Sequence, residues 1–428
     1  MTAKVFHAEL WGTRKKKYTE LLGADLRTTK WQNVSPDKPF YLFKPQDVKR
    51  RAEYDECWHI TQIMPVNVLG FQTHRDHFAI DFDEAALRER IGEMLDSNLS
   101  DVDYARKNGL QVKPGWSLAR SRHDLRADSA WERKLITCLY RPFDWRFCYF
   151  SEIVMDRPRR ELLDHVAGRR NLCLGLGRQG IAVNDPAWSL ISASRDPVDA
   201  NIFRRGGINI FPLYLFPAGG GAAKQKELGG AHANLTPKSI AEVEKRIGQE
   251  FVPDGTGDLT KTFGPEDVFH YIYAVFHSPT YRERYAEFLK IDFPRVPFTS
   301  DKALFRKLCG LGAELTGLHL MEKFGPPLTS YPVKGDNTVA KVAYTPPTKG
   351  EKGRVWINKA QYFDGVPPEV WQFHVGGYQV CEKWLKDRKG RELSFEDLEH
   401  YGHIVSALSE TIRLMAEIDR AIPQWPIQ

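Results

Sequence analysis

The sequence predicts an α+β protein with a mixed, β-rich N-terminal lobe and a helix-rich C-terminal lobe. Three observations carry this. Short clusters of β-favouring residues recur through the first 216 positions. After position 265 apolar residues fall at helical spacing over several long stretches. Between them, residues 217–233 (PAGGGAAKQKELGGAHA) are rich in Gly and Ala with no hydrophobic period. The expected organisation is therefore a mixed α/β lobe over 1–216, a flexible linker with one short helix over 217–264, and a helix-rich lobe over 265–428. No internal repeat is visible.

In the first lobe, Leu42-Phe43, Phe78–Phe82 (FAIDF) and Phe147–Tyr149 read as strand pieces. Glu84–Leu95 reads as an amphipathic helix, because Ala86, Leu87, Ile91 and Met94-Leu95 keep helical spacing and Asp83 can cap its start. Arg159–Ala167 reads as a short helix opening just after Pro158. A helix is expected at about Pro237–Ile247. In the second lobe Pro265 opens a helix with Asp267 in its first turn and Val268, Ile272, Val275 and Phe276 as its stripe. Ser278-Pro279 ends it and starts Thr280–Leu289. Asp301–Glu322 follows, with Leu304, Phe305, Leu308, Leu311, Leu315 and Leu318 facing a core. Strand character returns over 331–363, at Val339–Tyr344 and Arg354–Ile357. Gly376–Lys386 looks helical, and Ser394–Asp397 resembles a capping box opening a long final helix.

Composition bounds the function. The chain has 428 residues, 42% hydrophobic and 27% charged, an ordinary globular balance that excludes wholesale disorder. The apolar run near Ile208–Phe216 is short and broken by Pro212, whereas a membrane span needs about 20 apolar residues. The N-terminus has no long apolar core of a signal peptide, so a cytoplasmic location is expected. Six scattered cysteines without a CxxC pair fit reduced, buried thiols and argue against structural zinc. The net charge of +6 permits nucleic-acid binding without demanding it. Basic clusters stand at Arg14–Lys17, Lys49–Arg51, Arg157–Arg160, Arg204–Arg205 and Lys383–Arg391.

Catalytic motifs are sparse. Gly175-Leu-Gly177-Arg-Gln-Gly180 matches the GxGxxG pattern, but IAVNDPAW follows it, a poor helix start, so a turn between strands is the better reading. No P-loop lysine motif, GxSxG or HExxH occurs. The thirteen histidines show no ligand spacing. His319 sits beside a Leu-rich helix face and reads as a structural histidine. His270 and His277 share a helix at a spacing too long for one metal.

Several segments together resemble one family. They are VFHAELWGTRKKKY near the start, PFYLF at Pro39–Phe43 and PVNVLGFQTHRDHFAIDFD at Pro65–Asp83. YRPFDWRFCYF at Tyr140–Phe150 and DRPRRELLDH at Asp156–His165 follow. HYIYAVFHSPTYRERYAEFLKIDFPRVPF and VGGYQVCEKWLKDRKGRELS complete the series in the same order. The chain is similar to the C-terminal specificity, or target-recognition, region of type ISP restriction-modification enzymes, and more loosely of type IIG enzymes. That family joins a nuclease, a helicase-like motor, an adenine-N6 methyltransferase and a target-recognition domain. The NPPY-type tetrapeptide of its methyltransferase and the Walker lysine of its motor are absent from this sequence. The resemblance thus implies recognition of double-stranded DNA without catalysis by this chain. It places S-adenosylmethionine, and the nuclease or helicase, on a partner domain or subunit. Two other classes remain open: a protein-interaction module that docks a methyltransferase without reading DNA, and a standalone enzyme of unrecognised mechanism.

A recognition domain needs cations for phosphates and forked side chains for base edges. The candidates are Arg157, Arg159 and Arg160 in DRPRR, where Pro158 stiffens the backbone, with Arg178 and Gln179 in a glycine-flanked turn. His74 and Arg75 form a second group before FAIDF. Lys383, Lys386, Arg388, Lys389 and Arg391 form a third, at a helix end. Ser192–Asn201 (SASRDPVDAN) is a polar segment expected to form a reading loop.

Overall fold

A computed structural model describes residues 3–38, 40–111, 115–178, 188–204, 207–217, 230–349 and 352–428. The chain divides at Tyr54/Asp55 into a small first unit and a large second one. The expected boundaries near 217 and 265 do not separate units. Strand Arg295–Val296 pairs with Trp58–His59, so the second half of the chain builds on the first.

In the first unit, Val5–His7 and Gln32–Val34 form an antiparallel pair in the register Val5↔Val34. Between them runs a helix, Arg14–Gly23, whose Lys16 N–H donates to the Thr13 side chain. This helix buries no residue. Leu42-Phe43, expected as a strand piece, lies outside any strand.

The second unit is built on three helices, Pro265–His277, Lys302–His319 and Phe395–Ala421. The first two approach so closely that a Cβ at Gly312 would fall 1.9 Å from the His270 carbonyl oxygen, so only glycine fits there. One chain of hydrogen bonds ties all three. The Tyr273 hydroxyl lies 2.6 Å from His319 Nδ1, and His319 Nε2 lies 2.9 Å from the Thr411 hydroxyl. His319 is thus the satisfied structural histidine that its helix face suggests. The Ser394–Asp397 capping box forms as expected. Asp419, near the other end of that helix, accepts from Ser278 and Thr280 and so fixes the start of the Pro279–Arg284 helix.

A four-stranded antiparallel sheet packs nearby, in the order Val68–Leu69, Asn209–Pro212, Cys173–Leu176, Ile191–Ser194. A second sheet consists of Ile80–Asp81 beside the hairpin of Leu135–Arg141 and Asp144–Tyr149. The segment around Val198–Asp199 welds the two sheets, bridging Phe71 on one side and Leu139 on the other. Gly70 makes room for it, since a Cβ there would stand 2.6 Å from the Val198 oxygen. A third sheet, Ala343–Thr345, Arg354–Trp356 and Tyr362–Asp364, falls in the expected strand region, but of Val339–Tyr344 only Ala343 and Tyr344 are strand.

Further sequence readings change. FAIDF splits into a helical turn, Asp76–Ala79, and a two-residue strand, because Arg75 and Asp76 carbonyls start a helix there. The helix after Pro158 is only Arg160–Leu163, since Arg159 turns left-handed at φ 57°. Ser192–Asn201 is not a reading loop. Ser192–Ser194 pairs in the main sheet, and Val198, Asp199 and Ala200 are buried. All six cysteines are free and buried. Among the described residues no helix is long and apolar enough to cross a membrane.

Burial, helped by the nearby Arg282 cation, pushes the His319 imidazole down to about 3 and holds His277 well below the ordinary histidine range. Both are neutral in the fold, so the unfolded chain binds the extra protons. Their stabilisation is complete above about pH 6.5 and is lost as pH falls towards about 3. Urea unfolding should therefore show stability dropping between pH 7 and 5, by about 2 kcal/mol for His319. In His319→Gln the slope over that interval should shrink.

Candidate nucleic-acid interface

The hairpin Leu135–Tyr149 reaches two of the sequence-predicted groups, the turn of His74-Arg75 through Tyr140 and Asp76, and Arg388 through Asp144. Its turn is Pro142-Phe143, with Phe143 at φ 59°. Asp144, 1% exposed, accepts from Arg146 Nη2 at 2.6 Å and from Arg388 Nη2 at 3.0 Å. Arg146 also reaches Asp387. On the preceding strand Arg141 pairs with Asp199 at 2.8 Å and stacks 3.7 Å over the Tyr140 ring. Burial raises the Asp199 carboxyl to about 6, and the Arg141 cation pulls it the other way. The Tyr140 hydroxyl donates to Asp76 at 2.9 Å, and Asp76 also accepts from Thr73. Each buried charge thus has a partner, which a low-dielectric interior requires.

Two groups remote in sequence meet in space. Gln72 and Arg157 exchange main-chain hydrogen bonds of 2.9 and 3.0 Å. This places THRD beside DRPRR. Asp156 sits between them, accepting from His74 Nδ1 and from Arg75 Nη2, each at 2.6 Å. Burial would raise the Asp156 carboxyl, but the hydrogen bonds from Arg75 and His74 and the Arg75 cation hold it below its ordinary range. Arg75 is 7% exposed, donates also to the Thr73 and Val154 carbonyls, and stacks 4.2 Å over Trp116. Arg75 therefore holds the two loops together from inside, and the surface position expected for it is corrected. His74 is exposed at left-handed φ 55°. Arg160 pairs with Asp164 through two contacts of 3.2 Å. Arg159 is half-buried and its Nε has no hydrogen-bond partner. Arg157 is exposed, and among the described residues its side chain makes no ion pair or hydrogen bond.

Arg178 lies apart from these residues in its contacts. It pairs with Asp292 at 3.3 Å while 64% exposed, and His59 shares that carboxylate. Gln179 and Gly180 lie outside the described residues. The two glycines before them serve packing. A Cβ at Gly175 would strike Ile208 at 2.4 Å, and one at Gly177 would strike Leu190 at 2.5 Å. Gly175 pairs with Ser192 inside the sheet, so this part of the GxGxxG pattern is strand.

The third group divides. Arg388 is 5% exposed, sits 3.4 Å over the Trp384 ring, and bonds Asp144 and Asp397, so the expected surface position is corrected here too. Lys383 pairs with Asp387, and Lys386 with Glu382. Lys389 is exposed and has no ion-pair partner among the described residues, and Arg391 stacks 4.3 Å over Phe82. Sequence reasoning missed a cleft of about 610 Å³ lined by Trp116, Arg120, Lys134, Ser151 and Glu152. Trp116 carries no periodic pattern, so only its stacking on Arg75 reveals it. Among the described residues no cluster of His, Cys, Asp and Glu is fit to hold a metal.

Exposed forked side chains on loops whose main chain is fixed on both sides are the equipment of a recognition domain. The chain belongs to the Type ISP C-terminal specificity domain family, whose model matches residues 62–417. No curated protein matches it. Solved structures share its fold, three of them as follows. One is a nuclease-deletion mutant of the Type ISP restriction-modification enzyme LlaGI in complex with a DNA substrate mimic. It has 18% identity and a TM-score of 0.67, over 99% of this chain and 33% of that one. Another is the ATP-dependent Type ISP restriction-modification enzyme LlaBIII bound to DNA, at 18% and 0.67, over 93% and 26%. The third is the DrdV–DNA complex, at 19% and 0.68, over 97% and 42%. The chain thus spans between about a quarter and two fifths of the length of these neighbours.

The two kinds of cation should separate by measurement. Arg388→Ala leaves Asp144 and Asp397 without that partner and should cost about 3–5 kcal/mol in urea unfolding. Lys389→Ala should stay within about 0.5 kcal/mol.

Proposed function

We propose that this chain reads a short, asymmetric sequence in double-stranded DNA, as the target-recognition part of a restriction-modification enzyme. Methyl transfer to adenine N6 from S-adenosylmethionine belongs, in this reading, to a methyltransferase domain or subunit beside it. The observation that carries the proposal is the match to a specificity domain over residues 62–417. The DNA-bound state named for its structural neighbours supports it, as does the lack of an NPPY-type tetrapeptide in the sequence.

The geometry suggests which side chains do the work. Arg157 combines an exposed guanidinium, without a partner among the described residues, with a main chain pinned on both sides by Gln72. Little backbone freedom remains to be lost when it docks, which favours bidentate contact with guanine or phosphate. His74 and Arg159 flank it on the same pair of loops, and Arg178 and Lys389 are further exposed cations.

Binding to a randomised duplex library should enrich one short asymmetric word. Arg157→Ala should weaken binding to that word at least fivefold, about 1 kcal/mol, with unchanged thermal unfolding. Salt-sensitive binding without enrichment would count against base reading by this chain alone. No binding at low salt would overturn the proposal in favour of a docking module.

A further inference from the structure

The chain's charge is unevenly divided. The first 54 residues hold twelve Lys and Arg against six Asp and Glu, which leaves the second unit 49 of the 61 cations against 49 of the 55 carboxylates. The whole excess of +6 therefore sits in the first unit, and the second is formally neutral. The second unit also uses many of its cations internally, as at Arg75–Asp156, Arg141–Asp199, Arg388–Asp144, Arg195–Glu322 and Lys307–Glu417. Among the described residues, Arg14, Lys15, Lys17, Arg27 and Lys30 of the first unit have no carboxylate partner, and Lys16 has only Glu20 at 3.8 Å.

The helix Arg14–Gly23 makes the imbalance acute. Four cations fill its first turn, where the macrodipole is already positive and where no acidic residue stands. That placement is unfavourable without an external anion. Four consecutive positions point to all sides of a helix, so one flat protein face cannot pair them together. A polyanion acts on all of them through its field. Aromatic surface stands beside them, with Trp11 75% exposed and Tyr18 52%.

We propose that the first unit is a phosphate-holding module, in which Arg14, Lys15, Lys16 and Lys17 supply the sequence-independent electrostatic part of duplex DNA binding. The proposal rests on the DNA-recognition reading above and divides its labour. Neutralising phosphates and releasing counterions falls to the first unit, and base discrimination to the neutral second unit.

The test is binding of the full chain to a fluorescent duplex of about 30 base pairs at several salt concentrations, read by anisotropy. One variant carries Arg14→Ala, Lys15→Ala, Lys16→Ala and Lys17→Ala together. Alanine keeps the helix, whose face buries nothing, and unchanged thermal unfolding checks this. A control removes the same charge from exposed positions of the second unit with Lys238→Ala, Lys334→Ala, Lys341→Ala and Lys359→Ala. The first variant should flatten the slope of log affinity against log salt by about 2–3, at about 0.9 per lost phosphate contact. It should bind at least tenfold more weakly near 0.1 M salt and select the same word. The control should stay within twofold of the unaltered chain. Equal slopes in the two variants would overturn the module and leave the cations, with exposed Leu21 and Leu22, to a protein surface. A changed word would overturn it too, by making these residues base readers. Failure of the unaltered chain to bind DNA would instead sink the recognition reading on which the proposal rests.

Discussion

The second unit depends on the carboxylate of Asp144, buried at the turn of the Leu135–Tyr149 hairpin. Removing a carboxylate from water is costly unless cations and hydrogen bonds replace the solvent. Arg146 and Arg388 do so from two distant parts of the chain, and each brings a further carboxylate, Asp387 or Asp397. The C-terminal helices are thereby locked to the hairpin. One strand away Arg141 and Asp199 repeat the device and hold the segment that welds the two sheets. Charge, as well as apolar area, sets the register here, because a slipped strand would leave several ions buried and unpaired.

The same arrangement governs which residues can meet a ligand. DRPRR and THRD are drawn together by a main-chain bridge and by Asp156, and in the process Arg75 is taken inside. Arg157 remains outside because its main chain, rather than its guanidinium, makes the internal bonds. Identical residue types in one short segment thus divide into those that stabilise the loops and those the loops present.

Where sequence carried local signals, it was readable. Pro265, Asp301 and Ser394 mark helix starts through capping chemistry that acts over three residues, and each start is found where that chemistry puts it. Pro237–Ile247 is found with the bounds its pattern gives. The domain boundaries were not readable, because the pairing of Arg295–Val296 with Trp58–His59 joins segments more than 200 residues apart. The candidate interface was readable in part. The clusters could be located, but whether an arginine is spent internally depends on a carboxylate brought from elsewhere, as Asp144 is for Arg388 across 244 positions. The polar segment Ser192–Asn201 misled for a similar reason. Its Ser and Asp side chains satisfy buried partners, Asp199 with Arg141 and Asn201 N–H, and Ser194 with the Asp196 carbonyl.

This bookkeeping of partners separates stability from recognition in physical terms. A cation already paired in the fold must break that pair, or share it, before it can hold a phosphate. Its net gain is then the difference between two similar attractions. A cation without a partner exchanges only water and a loosely held counterion, and the gain is the entropy of the counterions released from DNA. Among the described residues, Arg157 and Lys389 in the second unit, and Lys15 and Lys17 in the first, are of the second kind. Formal charge summed over the chain hides this distinction. It emerges only when each guanidinium and ammonium is followed to the group it touches.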